Sequence, residues 1–305
     1  MQPRRDGAPE TRKTMLADFD LVIPANLTQA LQILSEDATR NGHDAMPLAG
    51  GTNLLVDIRA RRAAPKRLIA LGKLDELRGI TIDNGRVIVG GRTTLTDVLR
   101  APRMAEHAPS LVQSARVFGG QMVRNSATVA GNLCYGSPAA DTVPPLLSLN
   151  AELTLASQAG RRVVPLNDFF LGYKQNVRRH DELVTEITWP LPPSNSANLF
   201  YKLARRKGDA ITVVGLAVTL VVESGKCSCV RIALGAVAPV IKRALAAEAM
   251  LIDQALTPTL IDAAAGQAVE ACEPIDDARA SAEYRCHGVY VLTRRLLTQA
   301  WERLS

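Results

Sequence analysis

The sequence predicts an α+β protein of two parts: a mixed α/β domain at residues 18–194, and a smaller C-terminal domain of antiparallel sheet plus helices at residues 195–305. The length of 305 residues suits about two domains. Before residue 190, helical and strand patterns are mixed without the regular alternation of a doubly wound sheet. Prolines at positions 190, 192 and 193, followed by a polar run, mark a linker. Residues 1–17 are expected to form an N-terminal extension.

The first half opens with a helix. Asn26 suits its N-cap, apolar residues then recur at helical spacing, and Asn41-Gly42 ends the run. The predicted strands are 46–49, 66–71, 79–83 and 86–90, and a later helix is 110–117. The dipeptide Asn84-Gly85 indicates a tight hairpin between the last two strands. Thr94 and Asp97 have the spacing of a capping box, which predicts a short helix ending before the next proline.

The second half is predicted to be strands followed by helices. The predicted strands are 151–157, 161–165 and 183–189 before the linker, and 199–204, 211–222 and 229–236 after it. Two helices are predicted at 258–272 and 281–304, and Thr257 with Pro258 suits the start of the first of them. The C-terminal domain is therefore expected to be an antiparallel sheet covered by helices.

The composition excludes several classes of function. Lys and Arg number 36 against 30 Asp and Glu, and this net charge of +6 is compatible with an anionic ligand or an acidic partner. Aromatic residues make up only 4%, which argues against a nucleic-acid surface built on base stacking. The longest apolar run, 210–222, is shorter than the roughly 20 residues that a membrane span needs, so it predicts a buried strand.

The five cysteines form no CxxC pair, and their number is odd. The basic, polar start of the chain has no apolar core of a secretory leader, so we expect reduced thiols and a cytoplasmic protein. No metal site is expected in this chain. The histidines at positions 43, 107, 180 and 287 are scattered in sequence, and none is assigned a catalytic role.

Two glycine-containing segments stand out. The first is Leu48-Ala49-Gly50-Gly51-Thr52-Asn53-Leu54. Glycines let the backbone approach a ligand, and successive N–H groups at such a turn suit anionic oxygens. Gly50 and, in the second segment, Gly131 are expected to lack side chains because a ligand passes close to the backbone there. For the first segment taken alone, a plain tight turn is the alternative.

The second segment is 123–141, in which small and hydroxyl-bearing residues lead to Asp141. We expect it to lie flat under an extended ligand, with Asp141 accepting hydrogen bonds from ribose hydroxyls or an amine. A structural loop in which Asp141 caps a helix is the alternative. Neither segment matches the GxGxxG or P-loop patterns, which disfavours an ordinary nucleotide site.

Taken as a set, Ala49-Gly50-Gly51-Thr52, Thr128-Val129-Ala130-Gly131-Asn132 and Ser137-Pro138-Ala139-Ala140-Asp141 resemble the FAD-binding medium subunit of the molybdenum hydroxylases, the family of xanthine and carbon monoxide dehydrogenases. The resemblance extends from about residue 19 to the C-terminus. It implies a two-part FAD-binding domain of the PCMH type followed by the C-terminal domain of the medium subunit.

The resemblance also implies cofactor-binding residues. Residues Leu48, Ala49, Gly50, Gly51, Thr52, Asn53 and Leu54 would surround the FAD pyrophosphate, and Ala127, Thr128, Gly131 and Asn132 would complete the phosphate cradle. Cys134, Tyr135 and Ala140 would lie nearby, Asp141 would hold the ribose or adenine end, and Leu183 would pack on adenine. Lys202 would lie near the flavin ring, with Asp209 in a loop beside it. A solvated Lys202 is the alternative.

By the same resemblance, this chain carries FAD and no catalytic residue of its own. A large partner subunit holds the molybdenum cofactor and oxidises substrate, and a small one holds two [2Fe–2S] clusters. Electrons reach this chain's FAD from those clusters and leave to an external acceptor, in a heterotrimeric complex. Some family members carry an inserted four-cysteine loop for a further cluster, which this chain lacks. A stand-alone FAD-dependent oxidoreductase of the same fold is the alternative.

Overall fold

The computed structural model describes residues 18–39 and 44–304. The described part of the chain starts with a small parallel sheet in the order β1-β3-β2. It consists of β1 (Asp20–Val22), β2 (Ala45–Leu48) and β3 (Arg67–Ala70), with α1 (Leu27–Thr39) and α2 (Leu54–Arg59) between the strands. The predicted first helix is confirmed: the Asn26 Oδ1 accepts a hydrogen bond from the Gln29 N–H at 2.9 Å. Its expected end at Asn41-Gly42 lies outside the described residues.

A five-stranded antiparallel sheet follows, in the order β4-β5-β10-β6-β7. The strands are β4 (Ile80–Asp83), β5 (Arg86–Gly90), β6 (Glu152–Ser157), β7 (Gly160–Pro165) and β10 (Leu183–Pro190), and β8 (Phe170–Gly172) and β9 (Gln175–Asn176) form a separate hairpin. Asn84 and Gly85 adopt φ of +46° and +72° between β4 and β5. The predicted hairpin is therefore confirmed, with positive φ at both central residues, as a type I′ turn requires.

Six helices lie between β5 and β6. They are α3 (Leu95–Arg100), α4 (Met104–His107), α5 (Pro109–Val117), α6 (Gln121–Ser126), α7 (Val129–Tyr135) and α8 (Val143–Ser148). Most of the segment 123–141 forms α6 and α7, so the alternative of a plain structural loop does not describe it. The Thr128 hydroxyl caps α7, accepting a bond from the Gly131 N–H at 3.0 Å. Asp141 caps no helix, since Thr142 is the N-cap of α8.

The predicted capping box at the start of α3 is confirmed. The Thr94 Oγ1 accepts from the Asp97 N–H at 3.1 Å, and the Asp97 carboxylate accepts from the Thr94 N–H at 3.0 Å. Replacing Thr94 with alanine should lower the free energy of unfolding by about 1 kcal/mol, because one helix N–H loses its partner. Urea unfolding measures this loss, with Thr94→Ser as the control. An unchanged midpoint for Thr94→Ala would contradict the role of this cap.

The C-terminal sheet has the order β11-β12-β13-β14, all antiparallel. Its strands are β11 (Ser196–Ala204), β12 (Thr212–Glu223), β13 (Lys226–Gly235) and β14 (Lys242–Arg243), and its helices are α9 (Leu245–Leu251), α10 (Pro258–Val269) and α11 (Ala282–Glu302). The apolar run 210–222 is largely the central strand β12, as predicted. Thr257 caps α10 with Pro258 at its first position, also as predicted.

The C-terminal sheet is covered on both faces. Helices α9 and α11 pack on one face, around Val214, Leu216 and Leu297, and α10 packs against both of these helices. The other face contributes Phe200 and Ala217 to the core of the preceding part, beneath α5 and α8. The predicted α+β class is thus confirmed, whereas the division at residues 194 and 195 stays a prediction. Within the described ranges, no helix has both the length and the apolar character needed to cross a membrane.

Candidate functional site

A cavity of about 240 Å³ lies where the turn between β2 and α2 meets the turn between α6 and α7. Fourteen of the eighteen residues expected to bind a cofactor line it. They are Leu48, Ala49, Gly50, Gly51, Thr52, Asn53, Leu54, Ala127, Thr128, Gly131, Asn132, Cys134, Tyr135 and Leu183. The fold therefore brings the two segments together around one space, although they are far apart in the sequence.

The two turns are in direct contact. A Cβ atom placed on Gly50 would lie 1.8 Å from the carbonyl oxygen of Ser126 and 3.1 Å from the Cα of Ala127. The backbone of Thr128 also pairs with Thr94 in an isolated antiparallel bridge. This close approach is possible only because position 50 has no side chain, so the shape of the cavity depends on that glycine.

Gly50 and Gly131 were expected to lack side chains in order to leave room for a ligand. The geometry gives a different reason for both glycines. At Gly50 the space of a side chain is occupied by the neighbouring turn, not by a ligand. At Gly131 a Cβ atom would lie 2.7 Å from the Thr128 Oγ1, the oxygen that caps α7. Both glycines therefore serve the packing of the turns that form the cavity wall.

The β2–α2 turn carries unused hydrogen-bond donors. The backbone N–H groups of Gly51, Thr52 and Asn53 donate to no other residue among those the structure describes. The Asn53 side chain makes no capping bond at the start of α2. Successive backbone donors on a cavity wall, without protein acceptors, suit the oxygens of a phosphate or diphosphate.

Several lining residues were missed by the sequence analysis. They are Met46, Pro47, Asp57, Ala63, Leu71, Leu77, Gly91, Phe118, Ala130, Arg178 and Val184. The pair Gly90-Gly91 at the end of β5 was an available signal: a Cβ atom on Gly91 would lie 2.1 Å from the Val184 carbonyl oxygen. The aliphatic lining residues and Phe118 belong to no recognisable motif, because residues of these types occur at any core position.

Two residues that line the cavity, Tyr135 and Asp57, contact basic side chains behind its wall. The Lys174 ammonium donates to the Tyr135 hydroxyl at 2.8 Å and lies 4.2 Å from the centroid of that ring. The hydrogen bond to Tyr135 raises the pKa of Lys174. The Asp57 carboxylate lies 4.0 Å from Lys174 and accepts from the Arg62 Nε at 2.8 Å. The Asp57 carboxylate and the Tyr135 hydroxyl on the wall suit the polar groups of a nucleotide better than an apolar ligand.

Cys134 lines the same cavity with its neighbour Tyr135. Burial raises the pKa of the Cys134 thiol, so the thiol stays protonated at neutral pH. A protonated, buried thiol is a poor nucleophile. Cys134 therefore suits a packing contact in the cavity wall.

The remaining four expected residues, Ala140, Asp141, Lys202 and Asp209, do not line this cavity. Asp141 and Lys202 form a buried ion pair, with Nζ to Oδ2 at 2.6 Å and side-chain exposures of 7% and 6%. Lys202 is therefore not solvated. The Thr212 hydroxyl also donates to the Asp141 carboxylate. Burial raises the pKa of Asp141, against the opposing effect of Lys202 and Thr212.

This ion pair joins the two parts of the chain beside the cavity. Asp141 precedes α8, whereas Lys202 lies on β11. The Lys202 ammonium is also 3.4 Å from the Val117 carbonyl oxygen, next to the cavity residue Phe118. Asp209 has φ of +42°, and its carboxylate would lie 3.0 Å from a Cβ atom on Gly120. Both contacts place the β11–β12 region against the segment that contains Phe118.

The residues present fit a flavin dinucleotide. The turns offer backbone donors for a diphosphate, apolar side chains such as Leu183 and Leu77 offer packing for ring systems, and a polar wall suits sugar hydroxyls. A cradle that closes only because Gly50 lacks a Cβ atom supports a backbone-lined phosphate site.

Sequence comparison assigns both parts of the chain to known domain families. A sequence profile described as the FAD binding domain in molybdopterin dehydrogenase matches residues 17–192. A second, described as the CO dehydrogenase flavoprotein C-terminal domain, matches residues 199–300.

Full-length relatives agree with these profiles. The carbon monoxide dehydrogenase medium chain of Hydrogenophaga pseudoflava is 32% identical over 287 residues, 94% of this chain and 98% of that protein. The xanthine dehydrogenase FAD-binding subunit of Escherichia coli O157:H7 is 30% identical over 278 residues, 90% of this chain and 94% of that protein. Both names describe one chain of a larger enzyme, which favours the subunit interpretation over a stand-alone oxidoreductase.

Solved structures share the fold. A carbon monoxide dehydrogenase chain from Hydrogenophaga pseudoflava superposes with a TM-score of 0.90 at 33% identity, covering 95% of this chain and 99% of that one. A chain of quinoline 2-oxidoreductase from Pseudomonas putida 86 gives a TM-score of 0.87 at 29% identity, with coverage of 95% and 99%. With both domain profiles matched in order, the chain belongs to the family of FAD-binding medium subunits of the molybdenum hydroxylases.

Proposed function

We propose that the chain binds one FAD in the cavity and serves as an electron-transfer subunit of a molybdenum hydroxylase. In this proposal a small subunit with two [2Fe–2S] clusters donates electrons, and a large subunit with the molybdenum cofactor oxidises the substrate. An external acceptor then takes the electrons from this chain. The contact of the two glycine turns around a set of unused backbone donors is the observation that supports this function most strongly.

The expected site residues divide by position. Leu48 through Leu54, together with Ala127, Thr128, Gly131 and Asn132, hold the diphosphate and the adjoining chain of FAD. Leu183 packs on the adenine, with Cys134 and Tyr135 on the wall nearby. Asp141 and Lys202 were expected at opposite ends of FAD, but they contact each other at 2.6 Å, so we place both near the flavin ring, together with Ala140 and Asp209.

The protein's own groups then provide placement and charge. Bound FAD accepts and releases electrons, and that chemistry belongs to the cofactor. The Lys202 ammonium has three N–H donors, of which the Asp141 carboxylate and the Val117 carbonyl take two. The third donor remains for an electronegative atom of the ring. Because the Asp141 carboxylate, which also accepts from the Thr212 hydroxyl, holds the ammonium in a buried place, the ammonium charge is screened less by water than at the surface.

The cofactor assignment is tested by an absorption spectrum and a flavin count. The purified chain should show flavin bands and about one non-covalent FAD per chain, since one cavity with one diphosphate cradle is proposed. Acid precipitation should release the flavin, and chromatography should identify it as FAD. A colourless chain that takes up no FAD would overturn the assignment.

Transfer to an external acceptor and the cellular location are part of the proposal. The cytoplasmic location stays a prediction. Purification of the complex through a tag on this chain tests the partners. Molybdenum and iron should be retained with FAD, whereas a chain that retains only FAD would support the stand-alone alternative.

A further inference from the structure

Exposed apolar side chains lie beside the cavity on α6 and the segments around it. Met122 is 83% exposed, the largest exposed fraction among the large hydrophobic side chains of the described residues. Val117 and Ile211 are 47% and 56% exposed. These three residues are named the Met122 patch here. Leaving such side chains in water is unfavourable, and grouped exposure marks an interaction surface.

The three residues belong to one region although they come from both parts of the chain. Gly120 lies two residues before Met122 and three after Val117. A Cβ atom on Gly120 would lie 3.0 Å from the carboxylate of Asp209, which precedes Ile211 by two residues. The Gly120–Asp209 contact therefore brings Ile211 to the same face as Val117 and Met122.

Basic side chains surround this patch. Arg116 precedes Val117 directly and is exposed, and Arg205, Arg206 and Lys207 are exposed on the β11–β12 loop. Arg206 donates to the Asp209 carbonyl oxygen at 2.7 Å, which ties this basic loop to the contact with Gly120. Four cations around an apolar centre suit a partner whose surface is apolar in the middle and acidic at the rim.

The patch is close to the proposed flavin site. Helix α6 has six residues, about 9 Å of helix, and leads from Met122 into the cavity residues Ala127 and Thr128. Phe118, which follows Val117 directly, also lines the cavity. A protein seated on the patch is therefore separated from the cavity by little more than one short helix.

We propose that the Met122 patch and its basic rim dock the small [2Fe–2S] subunit, whose contact surface is then expected to have an apolar centre and an acidic rim. This inference rests on the proposed function. An iron–sulfur donor must sit near the flavin to pass electrons on. An apolar centre favours a permanent subunit, whereas an external acceptor that arrives and leaves at each turnover would meet a smaller and more polar surface.

The test uses the complex purified through a tag on this chain from cells that make all subunits. Met122→Glu places a charge at the centre of the interface and should reduce iron per tagged chain by about tenfold or more. FAD per chain and the melting temperature should stay at the wild-type values, because the side chain is exposed. Leu171→Glu, at a position 67% exposed on β8, is the matched control and should keep its iron.

A second variant tests the contribution of the basic rim to docking. Arg116→Glu with Lys207→Glu changes two exposed residues and should make iron retention fall as salt is raised, at concentrations where the wild-type complex is intact. Full iron in Met122→Glu, or equal loss in Leu171→Glu, would overturn the docking surface. So would full iron together with loss of flavin reoxidation, which would assign the patch to the acceptor. A wild-type chain without FAD or iron would instead refute the proposed function.

Discussion

Gly50→Ala should remove most of the FAD from the purified protein and lower its free energy of unfolding by about 3 kcal/mol. The new methyl group would lie 1.8 Å from the Ser126 carbonyl oxygen, far inside van der Waals contact. Both atoms belong to short turns held by neighbouring strands and helices, so the backbone must move. The move separates the two turns, and the donors on Gly51 and Thr52 lose their position relative to Ala127.

Flavin content by absorbance and stability by urea unfolding measure the two effects. Gly266→Ala is the matched control, since a Cβ atom there meets nothing within 4 Å in the middle of α10. This control should bind FAD normally and gain roughly 0.5–1 kcal/mol from the better helix propensity of alanine. Wild-type flavin content and stability in Gly50→Ala would show that the turns do not depend on this contact.

The contact between the turns also marks what the sequence could predict and what it could not. Both glycine segments, the capping box at Thr94 and the Asn84-Gly85 hairpin are local signals, and each was found from residue types at fixed spacing. The partner of Gly50 was not found, because Ser126 is joined to it only by the tertiary fold. A glycine that accommodates another backbone gives the same signal as one that accommodates a ligand.

The helices α6 and α7 show a second limit of prediction from the sequence. The segment 123–141 is rich in small residues and hydroxyls, many of which have weak helix propensity, and no helix was predicted there. The Thr128 cap and burial of Val129 and Leu133 stabilise helix there instead. Short helices depend on tertiary packing more than on propensity. The lining residues Leu71, Leu77 and Val184 could not be predicted either, since nothing in their local sequence distinguishes a cavity-lining position from a core position.

Lys202→Met should cost about 3–5 kcal/mol of stability, because Asp141 would keep its buried place without a counter-charge. The double variant Lys202→Met with Asp141→Asn should recover much of that loss, since a neutral amide can still accept from the Thr212 hydroxyl. Lys242→Met is the matched control. Its partner Glu273 is 68% exposed, and breaking an exposed pair should cost about 1 kcal/mol or less.

The effect of Lys202→Met should depend on pH in a defined direction. Burial raises the pKa of Asp141, and removing the Lys202 ammonium takes away an interaction that opposes the rise. A carboxyl with a folded-state pKa above its unfolded value favours folding at low pH, and that contribution is lost as pH rises through the folded value. The stability deficit of Lys202→Met should therefore be smaller at about pH 5 than at about pH 8. Urea unfolding at both pH values measures it. A deficit that grows on acidification, or one no larger than that of Lys242→Met, would mean that Asp141 and Lys202 do not form the buried pair that joins the two parts of the chain.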